Sequence, residues 1–138
     1  MRDLTGSGKT LGFALPVVEN CRANKLFGKG KIQCIVLAPT RELAIQISKV
    51  FNDLKHHPGE YDVLTVYGGV DIHEQTWKLR KGVDIFVGTC GRVLDHLERG
   101  NLRFDGLQTL ILDEADQMMK LGFKEDVDKL LGKIKEGV

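Results

Sequence analysis

Apolar positions fall into two alternating patterns along the chain. Four short, dense runs have the character of parallel strands covered on both faces. They are Ile32-Gln33-Cys34-Ile35-Val36-Leu37-Ala38, the stretch from Asp62 to Tyr67, Val83-Asp84-Ile85-Phe86-Val87-Gly88, and the stretch from Gln108 to Asp113. Between and around them, apolar residues recur at helical spacing. Leu11, Phe13, Ala14, Leu15, Val17 and Val18 predict a buried helix from Thr10 to Glu19, with Pro16 removing one backbone bond and bending it. Leu43, Ala44, Ile47, Val50, Phe51 and Leu54 predict a second helix, capped by Thr40 and ended by His56-His57-Pro58-Gly59. Asp71 to Lys81 reads as a weaker, polar helix with Ile72 and Leu79 inward. Thr89 to Arg99 contains a helix with Val93, Leu94 and Leu97 on one face, closed by Gly100. Phe123, Val127, Leu130, Leu131 and Ile134 predict a last amphipathic helix. Asn24 to Lys31 and Gly68-Gly69 are turns. The alternation predicts an α/β fold, a parallel sheet with helices on both faces.

Composition narrows this little. The 138 residues suit one domain with a real core, and 42% hydrophobic with 28% charged residues is ordinary for a globular chain. No apolar run approaches membrane-spanning length, and no signal peptide is visible. The net charge of +1 provides no global basic field, so a nucleic-acid partner must be held by a local surface. Cys21, Cys34 and Cys90 are odd in number and widely spaced, which reads as reduced thiols in an intracellular protein rather than a disulfide frame.

Chemistry concentrates in two stretches. In Leu110-Ile111-Leu112-Asp113-Glu114-Ala115-Asp116, three aliphatic residues end in two adjacent carboxylates, as a buried strand does when it delivers acids to the carboxyl edge of a sheet. One acid can hold magnesium, and its neighbour can orient and deprotonate a water. Alone, the pair could also be a helix N-cap and a first-turn acid. In Thr5-Gly6-Ser7-Gly8-Lys9-Thr10, the glycines permit a sharp turn that points N–H groups inward at phosphates, Lys9 reaches the outer phosphates, and the Thr10 hydroxyl suits magnesium. Asp3 stands where the full P-loop pattern has glycine, and a flexible glycine turn is the alternative. Taken together the stretches predict one site for a nucleoside triphosphate and magnesium. His56-His57 reads as a solvated helix end rather than a metal site. Trp77 reads as a partly buried anchor rather than a base-stacking platform, and Lys78, Arg80 and Lys81 as a solvated face.

Further runs add a family resemblance. Pro39-Thr40-Arg41-Glu42-Leu43-Ala44, Gly68-Gly69, Thr89-Cys90-Gly91-Arg92 and Gly122-Phe123 accompany Thr5 to Thr10 and Asp113-Glu114-Ala115-Asp116. In this order they resemble the first RecA-like domain of a DEAD-box ATP-dependent RNA helicase, with Cys90 where the family has proline and Asp3 where it usually has alanine. The resemblance implies a RecA-like (P-loop NTPase) fold. Residues 1–138 would be a partial N-terminal helicase ATP-binding domain, truncated at both ends. It implies ATP and Mg2+ as ligands. Thr5, Gly6, Ser7, Gly8, Lys9 and Thr10 would bind the nucleotide, Thr10 and Asp113 the metal. Lys9, Asp113 and Glu114 would form the catalytic set, and Asp116 would couple to a second domain. Pro39, Thr40, Arg41, Gly68, Gly69, Thr89, Gly91 and Arg92 would lie along an RNA backbone without reading sequence. For Arg41 the alternative is a surface ion pair with Glu42, and for Thr89 a simple helix cap. The implied partners are RNA and a second RecA-like domain bearing an arginine finger, with no membrane, in the cytoplasm or nucleus. The family's adenine-reading and Ser-Ala-Thr motifs are not found in the chain. The expectation is therefore a piece that cannot unwind RNA alone, with about four strands and an exposed hydrophobic edge prone to self-association. A RecA-like DNA helicase domain and a non-catalytic nucleotide- or RNA-binding scaffold are the alternative functions.

Overall fold

The computed structural model describes residues 6–136, with side chains from Lys9 onward. Its elements in chain order are α1 (Gly6–Ala23), β1 (Cys34–Ala38), α2 (Arg41–Asp53), β2 (Val63–Val66), α3 (Ile72–Lys81), β3 (Ile85–Thr89), α4 (Cys90–Glu98), β4 (Thr109–Leu112), α5 (Ala115–Lys120) and α6 (Lys124–Glu136). The four strands form one parallel sheet in the order β2-β3-β1-β4. Each predicted strand is present, shorter by one or two residues at one or both ends, while β3 runs one residue further, to Thr89.

β1 is buried along its whole length, and its alternating side chains serve two cores. Cys34, Val36 and Ala38 face α1 and α2, meeting Ala14, Val18, Ala44, Ile47 and Phe51. Ile35 and Leu37 face the opposite layer, with Phe86, Val93, Met118, Val127 and Leu130. α2 starts where the sequence predicts. Thr40 is extended, and its Oγ1 accepts from the Leu43 N–H at 3.2 Å, so the cap is formed as expected. Leu43, Ala44, Ile47 and Phe51 make its buried stripe, and truncating the fully buried Phe51 to alanine would cost about 3–5 kcal/mol.

Gly88 has a packing reason. A Cβ there would lie 2.5 Å from both Val66 Cγ2 and Val93 Cγ2, so glycine lets β2, β3 and α4 approach closely. This brings the start of α4 against the sheet edge where the predicted site lies.

Four expectations are corrected. The helix runs from Gly6, so Gly6, Ser7 and Gly8 belong to the first turn of α1 rather than to a sharp glycine turn, and Thr5 lies outside the described residues. α1 runs on through Pro16 to Ala23 instead of stopping at Glu19, with Ala14, Val17, Val18 and Cys21 packed along it. β4 is an edge strand whose four residues are all half-buried, not a fully covered one. Trp77 is 60% exposed with the Lys81 ammonium 4.5 Å above its ring, so it is a surface aromatic and not an anchor. The structure also adds α5, too short for a periodic signal, between the acidic pair and α6.

Candidate functional site

Parallel register brings four strand ends to one edge. Ala38 lies opposite Thr89, Leu37 lies opposite both Gly88 and Leu112, and the Asp113 N–H donates to Leu37 O at 3.0 Å. The segments that leave this carboxyl edge are Pro39-Thr40-Arg41 after β1, Tyr67-Gly68-Gly69 after β2, Thr89 to Arg92 after β3, and Asp113-Glu114 after β4. Every described residue assigned to a site from sequence is therefore on this edge or on the first turns of α1 and α5. Such an edge is where ligands bind in open α/β sheets.

The two predicted halves of the nucleotide site meet. Lys9 Nζ is 2.7 Å from Asp113 Oδ1, with the lysine side chain 44% exposed and the aspartate side chain 2% exposed. The Asp113 carboxylate holds the Lys9 ammonium above its ordinary pKa, against a lowering by partial burial, and Glu114 adds to the rise. Asp113 Oδ1 is buried with the Lys9 ammonium as its close partner, and no further hydrogen bond fills its remaining lone pair. Thr10 follows Lys9 and is buried. Lys9, Glu114, Ala115, Asp116, Gln117 and Lys120 line an open cavity of about 470 Å³ beside the pair.

Glu114 has a left-handed backbone, φ 55° and ψ 52°, which costs a non-glycine residue about 1–3 kcal/mol. The strain lies between β4 and α5, where the chain turns and leaves Glu114 exposed next to buried Asp113. A carboxylate and a hydroxyl are the hard oxygen donors a magnesium ion takes from protein when water and phosphate complete its shell. Asp113, with that remaining lone pair, and Thr10 fit that requirement. Among the described residues no cluster of three or more His, Cys, Asp or Glu could form an all-protein metal cage.

The other strand ends carry polar groups of a different kind. The Arg41 guanidinium lies 4.8 Å from the Tyr67 ring centroid, so it stacks there instead of pairing with Glu42. Gly69 has φ 89°, a backbone that favours glycine. Thr89 sits at the N-cap position of α4 but makes no side-chain capping bond, and Gly91 is exposed. Arg92 is half-buried, and its Nη1 donates to Val70 O at 2.8 Å and to Gln75 Oε1 at 3.0 Å. Its guanidinium thus braces the Gly68-Gly69 turn. Cys90, in the position of the expected proline, is buried with Sγ 3.1 Å from Met118 Sδ. It ties the start of α4 to α5, and burial pushes its thiol up to about 11.

No sequence signal singles out Gln75, which bonds Arg92, or His96 and Asn101, which extend the network from Gln75. His96 is fully buried. Burial, then Arg92, pulls its pKa down to about 4, with Asp95 opposing and Arg99 adding to the fall. The nearest to such a signal is the place of His96, four residues after Arg92 and three after Val93, which puts it on the inward face of α4 as a polar interruption.

The DEAD/DEAH box helicase family matches residues 2–137 of this chain. An ATP-dependent RNA helicase DeaD of Buchnera aphidicola subsp. Schizaphis graminum is 46% identical over 130 residues, which is 94% of this chain and 21% of that protein. DEAD-box ATP-dependent RNA helicase 9, mitochondrial, of Arabidopsis thaliana is 44% identical over 135 residues, 96% of this chain and 22% of that one. The crystal structure of a DEAD box protein from the hyperthermophile Methanococcus jannaschii superposes with a TM-score of 0.81 at 43% identity, covering 93% of this chain and 33% of that chain. The chain thus spans about a fifth of the length of these curated relatives.

Proposed function

Because this chain belongs to the DEAD/DEAH box helicase family and has its RecA-like fold, we propose that it forms part of the N-terminal ATP-binding domain of an ATP-dependent RNA helicase. The observation that carries the reading is the 2.7 Å contact between Lys9 Nζ and Asp113 Oδ1, which unites the two stretches expected to share one magnesium–phosphate unit.

In this reading Lys9 and Asp113 neutralise each other in the free chain. A phosphate oxygen for Lys9 and a metal for Asp113 and Thr10 would satisfy both groups and use the remaining Oδ1 lone pair. Bound magnesium would neutralise phosphate charge as it develops during transfer. Gly6, Ser7 and Gly8, at the N-terminus of α1, offer backbone N–H groups and the positive end of the helix dipole to phosphates. Glu114 is exposed beside the cavity, so it can accept a proton from a water and orient it, with the strained backbone fixing the direction of its side chain. Asp116 lines the same cavity and is exposed, suited to a partner domain that supplies an arginine finger.

RNA would follow the remaining strand ends. Thr40, Arg41, Gly68, Gly69, Thr89 and Gly91 offer hydroxyls, a cation and unhindered backbone next to Pro39, groups that suit phosphate and ribose and carry no base information. Arg92 acts mainly by holding that surface. The names of the Buchnera and Arabidopsis relatives support RNA over DNA. A cytoplasmic or nuclear location suits three buried free thiols. Among the described residues no helix is long and apolar enough to cross a membrane. The half-buried β4 edge would let the isolated chain self-associate, which sedimentation against concentration would detect.

The test is nucleotide binding by the chain itself. MgATP should bind, and Lys9→Ala should weaken it about a hundred-fold in calorimetry, because a charged phosphate contact is lost. Equal affinity in the variant would overturn the assignment. Duplex unwinding by the isolated chain should be absent, since transition-state charge on the phosphoryl group needs the second domain.

A further inference from the structure

A set of buried polar groups between α3 and α4 takes no part in handling nucleotide or metal. Gln75 is 4% exposed and His96 0%, on different helices, and both are hydrogen-bonded. Each donor and acceptor can be assigned. A guanidinium only donates, so the Gln75 atom 3.0 Å from Arg92 Nη1 must be the carbonyl oxygen. The same oxygen is 2.9 Å from His96 Nε2, which therefore carries the ring proton. His96 Nδ1 is then a lone pair, and Asn101 Nδ2 donates to it at 3.1 Å. The second Asn101 amide hydrogen goes to Thr76 Oγ1 at 3.0 Å, and Thr76 donates its own hydrogen to Ile72 O at 2.9 Å. A rotated amide or the other tautomer would set two donors face to face, so one arrangement is selected.

The upper end of this network reaches the site edge. Arg92 Nη1 donates to Val70 O at 2.8 Å, and Gln75 Nε2 reaches Tyr67 O at 3.5 Å. Tyr67 and Val70 bracket Gly68 and Gly69. The exposed glycine turn is therefore gripped on both sides from within, by the half-buried Arg92 and the buried Gln75. We infer that Gln75 and His96 are positioning residues for binding a single-stranded ribose-phosphate backbone: they hold Arg92 and the Gly68-Gly69 turn in register with Thr89 and Gly91. The inference rests on the RNA-binding reading above. A surface that contacts only backbone gains affinity when several contacts meet successive phosphates together, so the spacing between two turns matters as much as the groups on them.

The test uses this 138-residue chain and a uridine oligonucleotide. Gln75→Leu removes both acceptor roles of the amide oxygen, whereas Gln75→Glu keeps them and loses only the long Nε2 contact to Tyr67 O. Gln75→Leu should bind the oligonucleotide about ten-fold more weakly and Gln75→Glu within about two-fold of the unsubstituted chain, as loss of an acceptor to a charged donor implies. MgATP affinity should be unchanged in both, which separates positioning from general loss of fold. Backbone amide resonances of Gly68, Gly69 and Gly91 should move in Gln75→Leu and move less in Gln75→Glu. A folded Gln75→Leu chain with unmoved glycine resonances and undiminished RNA affinity would overturn the inference. Failure of the unsubstituted chain to bind the oligonucleotide would overturn the RNA-binding reading instead, and the glycine resonances would still decide whether Gln75 sets the turn. If Gln75→Leu does not fold, the His96 ring nitrogens of the unsubstituted chain decide. A protonated Nε2 and bare Nδ1 at neutral pH support the network, and averaging of the two tautomers refutes it.

Discussion

The carboxyl edge of the sheet has two ends built on opposite principles. At the β4 end, Lys9 and Asp113 form one ion pair, half open to solvent on the lysine side, with a buried carboxylate oxygen left short of hydrogen bonds and a strained Glu114 next door. At the β2–β3 end, Arg92, Gln75, His96, Asn101 and Thr76 form a network in which the polar groups named have partners. The first end is incomplete without a ligand, and the second is complete without one. The contrast separates groups that do chemistry from groups that hold them: strained and open to a ligand on one side, closed by internal hydrogen bonds on the other.

The comparison can be broken most decisively at Glu114. In a longer protein that includes the second domain, Glu114→Gln should leave MgATP affinity nearly unchanged and lower RNA-stimulated hydrolysis about 10²- to 10⁴-fold, the usual worth of a general base. Preserved turnover would remove Glu114 from the chemistry and make the β4 end merely an ion pair.

Stability should behave in the opposite way at the other end. Gln75→Leu leaves the buried His96 Nε2–H without an acceptor and takes one of two acceptors from Arg92 Nη1, and should lower the unfolding free energy by about 1–3 kcal/mol in urea titration. An effect as small as that of a surface change would show that the network is not closed.

A pH titration sharpens the same contrast. His96 has its pKa pulled down to about 4 from 6.5 by burial. The unfolded chain therefore binds a proton that the folded chain refuses once the pH drops below 6.5. The His96 contribution is fully present above 6.5 and is lost as the pH falls toward 4, so the melting temperature should decline over that interval. His96→Gln should flatten the decline. The smallest effect belongs to a control outside both ends. Lys124–Asp128 is an exposed pair at 2.8 Å in α6, and Lys124→Ala should leave the urea midpoint unchanged.

Much of the nucleotide end was legible along the chain because its signals are local. Lys9 follows a glycine-rich run, Asp113 ends an aliphatic run, and each type of residue states its chemistry where it stands. The polar network was not legible. Gln75 and His96 are ordinary residues in amphipathic helices, and nothing near either one in the chain names the other as partner. Trp77 was misjudged for a related reason: an aromatic residue on a polar helix is buried or exposed according to which face of that helix the sheet takes. The edge position of β4 is not legible either, because three consecutive aliphatic residues look the same in a central strand and in an edge strand.

The chain's own residues fix the alternation of strands and helices, the Thr40 cap, and the residue types suited to phosphate and metal. Those follow from short-range backbone preference and side-chain chemistry, which act within a few residues. Only the tertiary structure decided the order β2-β3-β1-β4, the edge position of β4, the bond of Arg92 to Val70 and Gln75, and the tautomer of His96. Each depends on which elements become neighbours, and a hydrogen bond between two helices exists only after the sheet has brought them together.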